Sequence, residues 1–205
     1  MIKVEIYKLF YNKLTLGVLL VLSLGIQISE RFKPDFWLLF ACVLVGQTLG
    51  EGFMDGTLKN EVMVIQERKR IILGKMFSAI LILFFIYVIN ICLFYIKAEK
   101  NIVIYRQDME LIVYQFFLIA AQVVFLMGLN IFLKSYSGLA IATMILFVFY
   151  HVCEMVQGKS MLSTVSNYTL LKLFGKVDLL GGCVFGVLAI TLFALGIRFF
   201  KRSEL

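Results

Sequence analysis

Six long apolar runs dominate the sequence, and each is close to the length that a helix needs to cross a lipid bilayer. A spanning helix needs about 20 predominantly apolar residues. Backbone groups must be hydrogen-bonded internally in lipid, and the runs lack the two-residue alternation of barrel strands, so the spans are predicted to be helices. The predicted spans are Leu14–Ser29, Phe36–Phe53, Ile71–Ile96, Leu111–Leu133, Gly138–Val156 and Leu179–Ile197.

The composition excludes a water-soluble domain. Hydrophobic residues make up 61% of the chain and charged residues 16%, whereas soluble domains carry about 45–50% and about 25%. Too few polar side chains are present to cover a water-facing surface. The predicted fold class is therefore an all-α membrane protein with six transmembrane helices.

Positive charge predicts how the spans are oriented. With the N-terminus in the cytoplasm, the inward-facing segments carry more Lys and Arg residues than the outward-facing ones, as is typical of membrane proteins. Arg68, Lys69 and Arg70 give the strongest local signal, and both termini are predicted to be cytoplasmic. We interpret the formal net charge of +7 as a topology signal and expect no nucleic-acid partner, because no basic tract interleaved with aromatic residues lies outside the spans.

Two segments outside the spans have the pattern of interfacial helices. Residues 1–13 place Ile2, Ile6 and Leu9 on one face with lysines between them, which favours a helix lying in the membrane interface over a cleavable signal. An ordinary charged flank is the alternative. A short outer helix is predicted before the last span, around Leu170–Phe174.

No catalytic, metal or cofactor site is predicted in this chain. His151 and Glu154 lie one helical turn apart, but a metal site needs three or four ligands. Gly158-Lys159-Ser160 resembles the end of a phosphate-binding loop, yet Cys153 stands where that loop requires glycine. If ATP is used, we expect another chain to hydrolyse it.

Small residues inside the spans are interpreted as packing residues. Gly46-x-x-x-Gly50 and Gly182-x-x-x-Gly186 have the spacing that lets two helices approach closely. The four cysteines lie in apolar runs without a C-x-x-C pair, so neither a disulfide framework nor a zinc site is predicted.

Several amide side chains lie within the predicted spans and form a candidate substrate path. They are Asn90 in span three, and Gln115, Gln122 and Asn130 in span four. Gln115 and Gln122 are seven residues apart and therefore share a helix face. Hydrogen bonding between helices is the alternative role, and the sequence leaves both open.

The loop between spans two and three contains the most informative pattern. Residues 54–70 are predicted to form a cytoplasmic amphipathic helix, with a turn at Gly56, a start at Thr57 and an apolar stripe that includes Leu58 and Val62. Such a helix can dock into a groove on a soluble partner. A solvated connecting helix without a partner is the alternative.

The segment Glu51–Lys75 resembles the permease subunits of ABC exporters of the type-two, six-span family. Gly56, Thr57, Arg68 and Lys75 fall at the family's spacing, whereas Gln66 and Glu67 stand where Pro and Ser are often found. The N-terminal interfacial helix, the six spans and the outer helix extend the resemblance over the whole chain.

The resemblance implies a transporter rather than an enzyme. Residues 1–205 would be one permease domain in a bacterial cell membrane, paired with an identical or related permease and with ABC ATPase subunits that bind ATP and Mg. The residues expected to couple this chain to the ATPase are Gly56, Thr57, Leu58, Val62, Arg68 and Lys75. The expected substrate is amphipathic: a hydrophobic or antimicrobial peptide, or a lipophilic drug.

Two other functional classes stay open. A six-span substrate-capture subunit of a vitamin importer fits the length and span number equally well, but such subunits lack a coupling helix after span two. A membrane enzyme is the third interpretation, and His151 would be its test residue.

Overall fold

A computed structural model of the chain describes residues 17, 20, 21, 23, 34–65, 67–97, 106–155, 173 and 177–202. Within these ranges the chain is helical and contains no strand, which confirms the all-α prediction. The helices are α1 (Pro34–Val45), α2 (Glu51–Met54), α3 (Thr57–Ile65), α4 (Arg68–Lys97), α5 (Arg106–Leu133), α6 (Tyr136–Met155) and α7 (Leu179–Arg202), and a π-helical segment, Gly46–Gly50, joins α1 to α2.

Four helical stretches are long and apolar enough to cross a membrane. They are Phe36–Met54, Arg68–Leu93, Met109–Leu133 and Leu179–Phe200, at the places of the second, third, fourth and sixth predicted spans. The fifth predicted span coincides with α6, whose apolar part, Tyr136–Val152, is shorter. Most of the first predicted span, all of the interfacial helix 1–13 and most of the short outer helix lie outside the described residues.

The outward faces of these helices are apolar. Phe85 on α4, Ile145 on α6 and Val187 on α7 are among many large hydrophobic side chains that are exposed on the isolated chain. A water-soluble monomer rarely exposes apolar patches of this extent, whereas lipid tails solvate such side chains well. The surface is therefore compatible with that of a membrane protein.

Helix α5 lies at the centre of the bundle and packs most extensively on α7. A Cβ atom added to Gly128 on α5 would lie 2.9 Å from the backbone nitrogen of Phe193 and 3.0 Å from the carbonyl carbon of Leu192. A Cβ atom on Gly196 would lie 3.3 Å from the carbonyl oxygen of Gly128. The two backbones approach closely because both contact positions lack a side chain.

Both glycine pairs singled out in the sequence lie at helix contacts. Gly46 and Gly50 face Tyr136 at the start of α6. Gly182 and Gly186 on α7 face aromatic rings of α5, those of Tyr114 and Phe117. Gly46, Gly182 and Gly186 leave room for a ring, and Gly50 leaves room for the Asn130 amide and the Cα atom of Tyr136, so both pairs serve packing as predicted.

The amphipathic loop helix is shorter than the predicted 54–70. Helix α2 ends at Met54, Asp55 and Gly56 form a bend, α3 covers Thr57–Ile65, and Arg68 already belongs to α4. Gly56 has φ of +67°, a left-handed conformation that glycine adopts without steric cost. This bend separates α3 from the span before it, and the predicted boundaries at both ends need this correction.

Candidate functional site

The candidate site is where α3 meets the first turns of α4, and where the start of α4 meets the end of α7. We call it the α3 cluster and define it as Leu58, Glu61, Arg68, Lys75 and Phe200. Leu58 and Glu61 come from α3, Arg68 and Lys75 from α4, and Phe200 from the end of α7. Two of the residues predicted from the resemblance have partners that the sequence did not indicate: Lys75 pairs with Glu61, and Arg68 contacts Phe200. A third, Leu58, is buried.

The apolar side of α3 packs onto the chain's own bundle. Leu58 is only 1% exposed, and Val62 is partly buried against the core. The other side of α3 is exposed and carries Lys59, Asn60 and Met63. The periodicity therefore predicted an apolar stripe correctly, but the stripe anchors α3 to the bundle instead of facing outward.

An ion pair connects α3 to α4. The ammonium nitrogen of Lys75 lies 3.3 Å from Oε2 and 3.5 Å from Oε1 of Glu61. Lys75 is only 2% exposed, whereas Glu61 is 21% exposed. A buried ammonium group without an opposite charge is costly, so Glu61 is the group that makes burial of Lys75 tolerable.

Glu61 was missed in the sequence, although a signal existed. Lys75 is the one charged residue in the predicted span Ile71–Ile96, and Glu61 is the one acidic residue in the α3 sequence. A single charged residue near the end of an apolar run usually pairs with a residue of opposite charge. The three carboxylates of the predicted segment 54–70, those of Asp55, Glu61 and Glu67, were the candidates for it.

Arg68 connects the start of α4 to the end of α7. Its Nη1 donates a hydrogen bond to the carbonyl oxygen of Phe200 at 3.1 Å, and its guanidinium carbon lies 6.0 Å from the centre of the Phe200 ring. The ring of Phe53 meets the same ring edge-on, with centroids 5.9 Å apart. A cation at a helix C-terminus is favourable because the last carbonyl groups carry partial negative charge.

Gly56 and Thr57 form the entrance to α3. The carbonyl oxygen of Gly56 accepts hydrogen bonds from the backbone N–H groups of Lys59 and Asn60, at 3.1 and 3.4 Å. Thr57 is exposed. These two residues therefore set the direction in which α3 leaves the bend, and they lie outside the buried contacts.

The amides of the candidate substrate path have different surroundings. Asn130 is fully buried. We assign its amide orientation from its neighbours: the nitrogen then donates to the carbonyl oxygen of Ser135 at 3.1 Å, and the oxygen accepts from the Gly50 N–H at 3.0 Å. Asn90 donates to the Ile86 carbonyl oxygen at 2.9 Å and lies 3.4 Å from the hydroxyl of Ser23. These two residues hold helices together, as the alternative interpretation expected.

Gln122 differs from these asparagines. It is fully buried in α5, and within the described part of the chain neither its amide nitrogen nor its amide oxygen has a hydrogen-bond partner. Gln115, seven residues earlier on the same face of α5, is also buried. A buried amide without a partner costs about 1–3 kcal/mol. Among the residues of the candidate substrate path, Gln122 is therefore the one for which the described structure gives no hydrogen-bonding role.

The His151 and Glu154 pair gains no further ligand among the described residues. The His151 ring packs on that of Phe147, with centroids 4.4 Å apart. The side chain of Glu154 lies outside the description. In the described ranges, no three His, Cys, Asp or Glu side chains are grouped so that they could hold a metal ion.

Fold and site together define a helical protein with four candidate membrane-spanning helices and a short amphipathic helix fixed to two of them. Comparison with protein-family models, with curated proteins and with solved structures gives no match for this chain. The functional conclusion therefore depends on the chain's own residues.

Proposed function

We propose that this chain is the transmembrane permease subunit of an ATP-driven ABC exporter of the type-two family. In this proposal the chain has six spans and cytoplasmic termini, lies in a bacterial cell membrane and pairs with a second permease subunit. Separate ATPase subunits bind ATP and Mg. Conformational coupling moves an amphipathic substrate, a hydrophobic or antimicrobial peptide or a lipophilic drug.

The observation that supports the proposal is that α3 packs on the bundle and is joined to α4 by an ion pair, and is not a free connecting segment. Leu58 seats α3 in the core, and the ion pair between Glu61 and Lys75 joins α3 to α4. The hydrogen bond from Arg68 to Phe200 joins α4 to α7. A force applied to α3 would therefore move two candidate spans together, which is what a coupling element requires.

The contacts of α3 also indicate which residues would touch an ATPase. Leu58 faces inward, so it would act by seating α3 and not by direct contact. Lys59, Asn60 and Met63 form the accessible side, and Met63 is 61% exposed. A partner surface would meet these residues, with Met63 as the apolar anchor.

Photo-crosslinking from two methionine positions tests the proposal. Benzoylphenylalanine would replace Met63 on α3 or, as a control of similar exposure, Met144 on α6, which is 57% exposed. In membranes containing the assembled complex, we expect position 63 to crosslink to the ATPase subunit and position 144 to lipid or to a second permease.

The opposite result would reject the proposal. An assembled, ATP-hydrolysing complex in which position 63 gives no crosslink to the ATPase would show that α3 is not the contact. A chain that purifies alone with a bound vitamin, identified by mass spectrometry, would instead favour the substrate-capture subunit of an importer.

A further inference from the structure

Two candidate spans end side by side, at the same end of the bundle as Arg68. The spans on α5 and α7 end at Leu133 and Phe200, and the Phe200 carbonyl oxygen accepts the hydrogen bond from Arg68. The rings of Phe132 and Phe199 join the two helix ends, with centroids 5.2 Å apart. Residues next to the end of a span lie at the level of the lipid head groups. We call this surface the α5–α7 end and define it as Phe132, Lys134, Leu195, Arg198 and Phe199.

Lys134 is the first residue after α5 and has an uncommon backbone conformation. Its φ is +50°, and its N–H donates to the Asn130 carbonyl oxygen at 2.8 Å. Glycine usually holds this left-handed position at the end of a helix, and a lysine there is rare. The ammonium nitrogen lies 5.7 Å from the centre of the Phe199 ring. The charge is therefore held where α5 and α7 end together.

The positive charge of Lys134 has no counter-charge in the described part of the chain. Its ammonium group faces the Phe199 ring, and none of its three N–H donors has an acceptor among the residues that the structure describes. Arg198 is exposed and, over the same ranges, has no carboxylate partner either. The buried ammonium group of Lys75, by contrast, is paired with Glu61. The described α5–α7 end thus presents two cations without a counter-charge at head-group depth.

The surface on the bilayer side of these cations is apolar. Phe132, Leu195 and Phe199 are between 40% and 49% exposed. Leu195 lies one turn before Phe199 on the same face of α7, so the apolar strip runs from the two rings toward the middle of the span. A ligand that fits both parts needs an anionic group at the cations and an apolar chain along α7. A soluble acidic partner lacks the chain, and a neutral lipid lacks the charge.

We propose that the α5–α7 end binds an anionic phospholipid, with its phosphate at Lys134 and one acyl chain along Phe132, Phe199 and Leu195. Arg198 adds a second cation on the exposed side of α7. Each lysine or arginine near a membrane surface favours anionic lipid by a factor of about five. The site is built from α5 and α7, so it does not depend on the proposed contact between α3 and an ATPase.

Fluorescence quenching by brominated lipids tests the site, because the chain has a single tryptophan, the fully buried Trp37. Phe199→Trp places a fluorophore in the site and keeps an aromatic ring beside Lys134. Phe77→Trp is the control, since Phe77 on α4 is 57% exposed and has no cation contact among the described residues.

The full chain would be reconstituted in phosphatidylcholine bilayers that contain either dibrominated phosphatidylglycerol or dibrominated phosphatidylcholine. The ratio of the two quenching constants measures the preference for the anionic lipid, and depth cancels because both lipids carry bromine on the same carbons. We expect a ratio of about five or more at position 199 and a ratio of about one at position 77.

Removal of the cation tests the head-group contact. In the Phe199→Trp chain, Lys134→Gln should lower the preference about fivefold. Lys69→Gln removes the same charge from an exposed position at the start of α4, and it should lower the preference by less than about twofold, because salt screens a charge that does not touch the head group. Native mass spectrometry gives a second readout without a tryptophan substitution. There, Lys134→Gln should reduce retention of phosphatidylglycerol about fivefold and leave retention of phosphatidylcholine unchanged.

Three results would overturn the proposal. Equal ratios at positions 199 and 77 would mean that anionic lipid has no site at the α5–α7 end. A preference that survives Lys134→Gln, or unchanged lipid retention in the mass spectra should Phe199→Trp not fold, would remove Lys134 from the head-group contact. Quenching at position 77 but by neither lipid at position 199 would mean that protein covers this surface. None of these measurements needs an ATPase, so failure here is distinguishable from failure of the crosslink at position 63.

Discussion

The ammonium group of Lys75 on α4 lies 3.3 Å from a carboxylate oxygen of Glu61 on α3, and only the glutamate keeps appreciable contact with solvent. The two partners are therefore not equivalent. Loss of Glu61 removes the partner of a lysine that is only 2% exposed, whereas loss of Lys75 removes the partner of a glutamate whose side chain is 21% exposed.

This difference predicts unequal effects of the two neutralising substitutions. Glu61→Gln is expected to lower the free energy of unfolding by about 2 kcal/mol, and Lys75→Met by less, because the Glu61 side chain is the more exposed of the two. Thermal unfolding of the purified chain in detergent would compare them. The double variant should recover much of the loss, and equal effects of the two single changes would contradict this account.

The close approach of α5 and α7 predicts that Gly128 tolerates no side chain. Gly128→Ala places a Cβ atom against the backbone of Phe193, and backbone atoms cannot move aside as a flexible side chain can. We expect a loss of about 1–3 kcal/mol in the free energy of unfolding. Gly17→Ala is the control, since an added Cβ there meets open space. Equal melting temperatures of both variants would refute the close contact.

The unpartnered amide of Gln122 predicts a stabilising substitution. Gln122→Leu removes two buried polar atoms that have no hydrogen-bond partner in the described ranges, so the free energy of unfolding is expected to rise by about 1–3 kcal/mol. Asn130→Leu should lower it by a similar amount, because the Gly50 N–H and the Ser135 carbonyl oxygen lose their partner. If both changes destabilise the chain, Gln122 has a partner in the folded state.

The same substitution at Gln122 separates two roles in the proposed exporter. If the amide contacts substrate, Gln122→Leu should reduce transport in proteoliposomes although the protein is more stable. Unchanged transport would assign Gln122 no part in the substrate path.

The link from Arg68 to Phe200 predicts a variant that hydrolyses ATP without moving substrate. Under the proposed function, Arg68→Gln removes the guanidinium from the end of α7, so α3 and α4 can move while α7 lags. Transport is expected to fall about tenfold relative to ATP hydrolysis. Arg70→Gln removes an equal charge at an exposed position of the same turn and serves as the control. Proportional loss of both activities in Arg68→Gln would instead indicate a general folding defect.

The long helices were predictable because their physical signal is local. An apolar run must be helical in lipid. The continuous helical stretch Pro34–Met54 and the helices α4, α5, α6 and α7 fall within about five residues of the predicted spans. The direction in which an amphipathic helix faces is not a local property. The spacing of Leu58 and Val62 indicated one apolar side of α3, but only the folded chain shows that this side meets its own bundle.

Contacts between distant residues account for the rest of what was missed. Arg68 and Phe200 are separated by 132 positions, and neither residue's neighbourhood indicates the other. The hydrogen bond between Asn130 and Gly50 depends on a π-helical segment. A single π-helical turn of five residues is too short to produce a recognisable periodicity in the sequence. The amide at Asn130 was therefore recognisable as polar, but its structural role was not.

The wide turn at Gly46–Gly50 acts on everything downstream of it. An α-helix advances about 100° per residue, and a π-turn inserts roughly one extra residue, so Glu51–Met54 is rotated by about that angle compared with an unbroken α-helix. The Asn130 amide oxygen accepts a hydrogen bond from the Gly50 N–H in this turn. The direction of α3 therefore depends on the one extra residue in this turn. A one-residue deletion between Gly46 and Gly50 would rotate Leu58 away from the bundle without changing any side chain that it contacts.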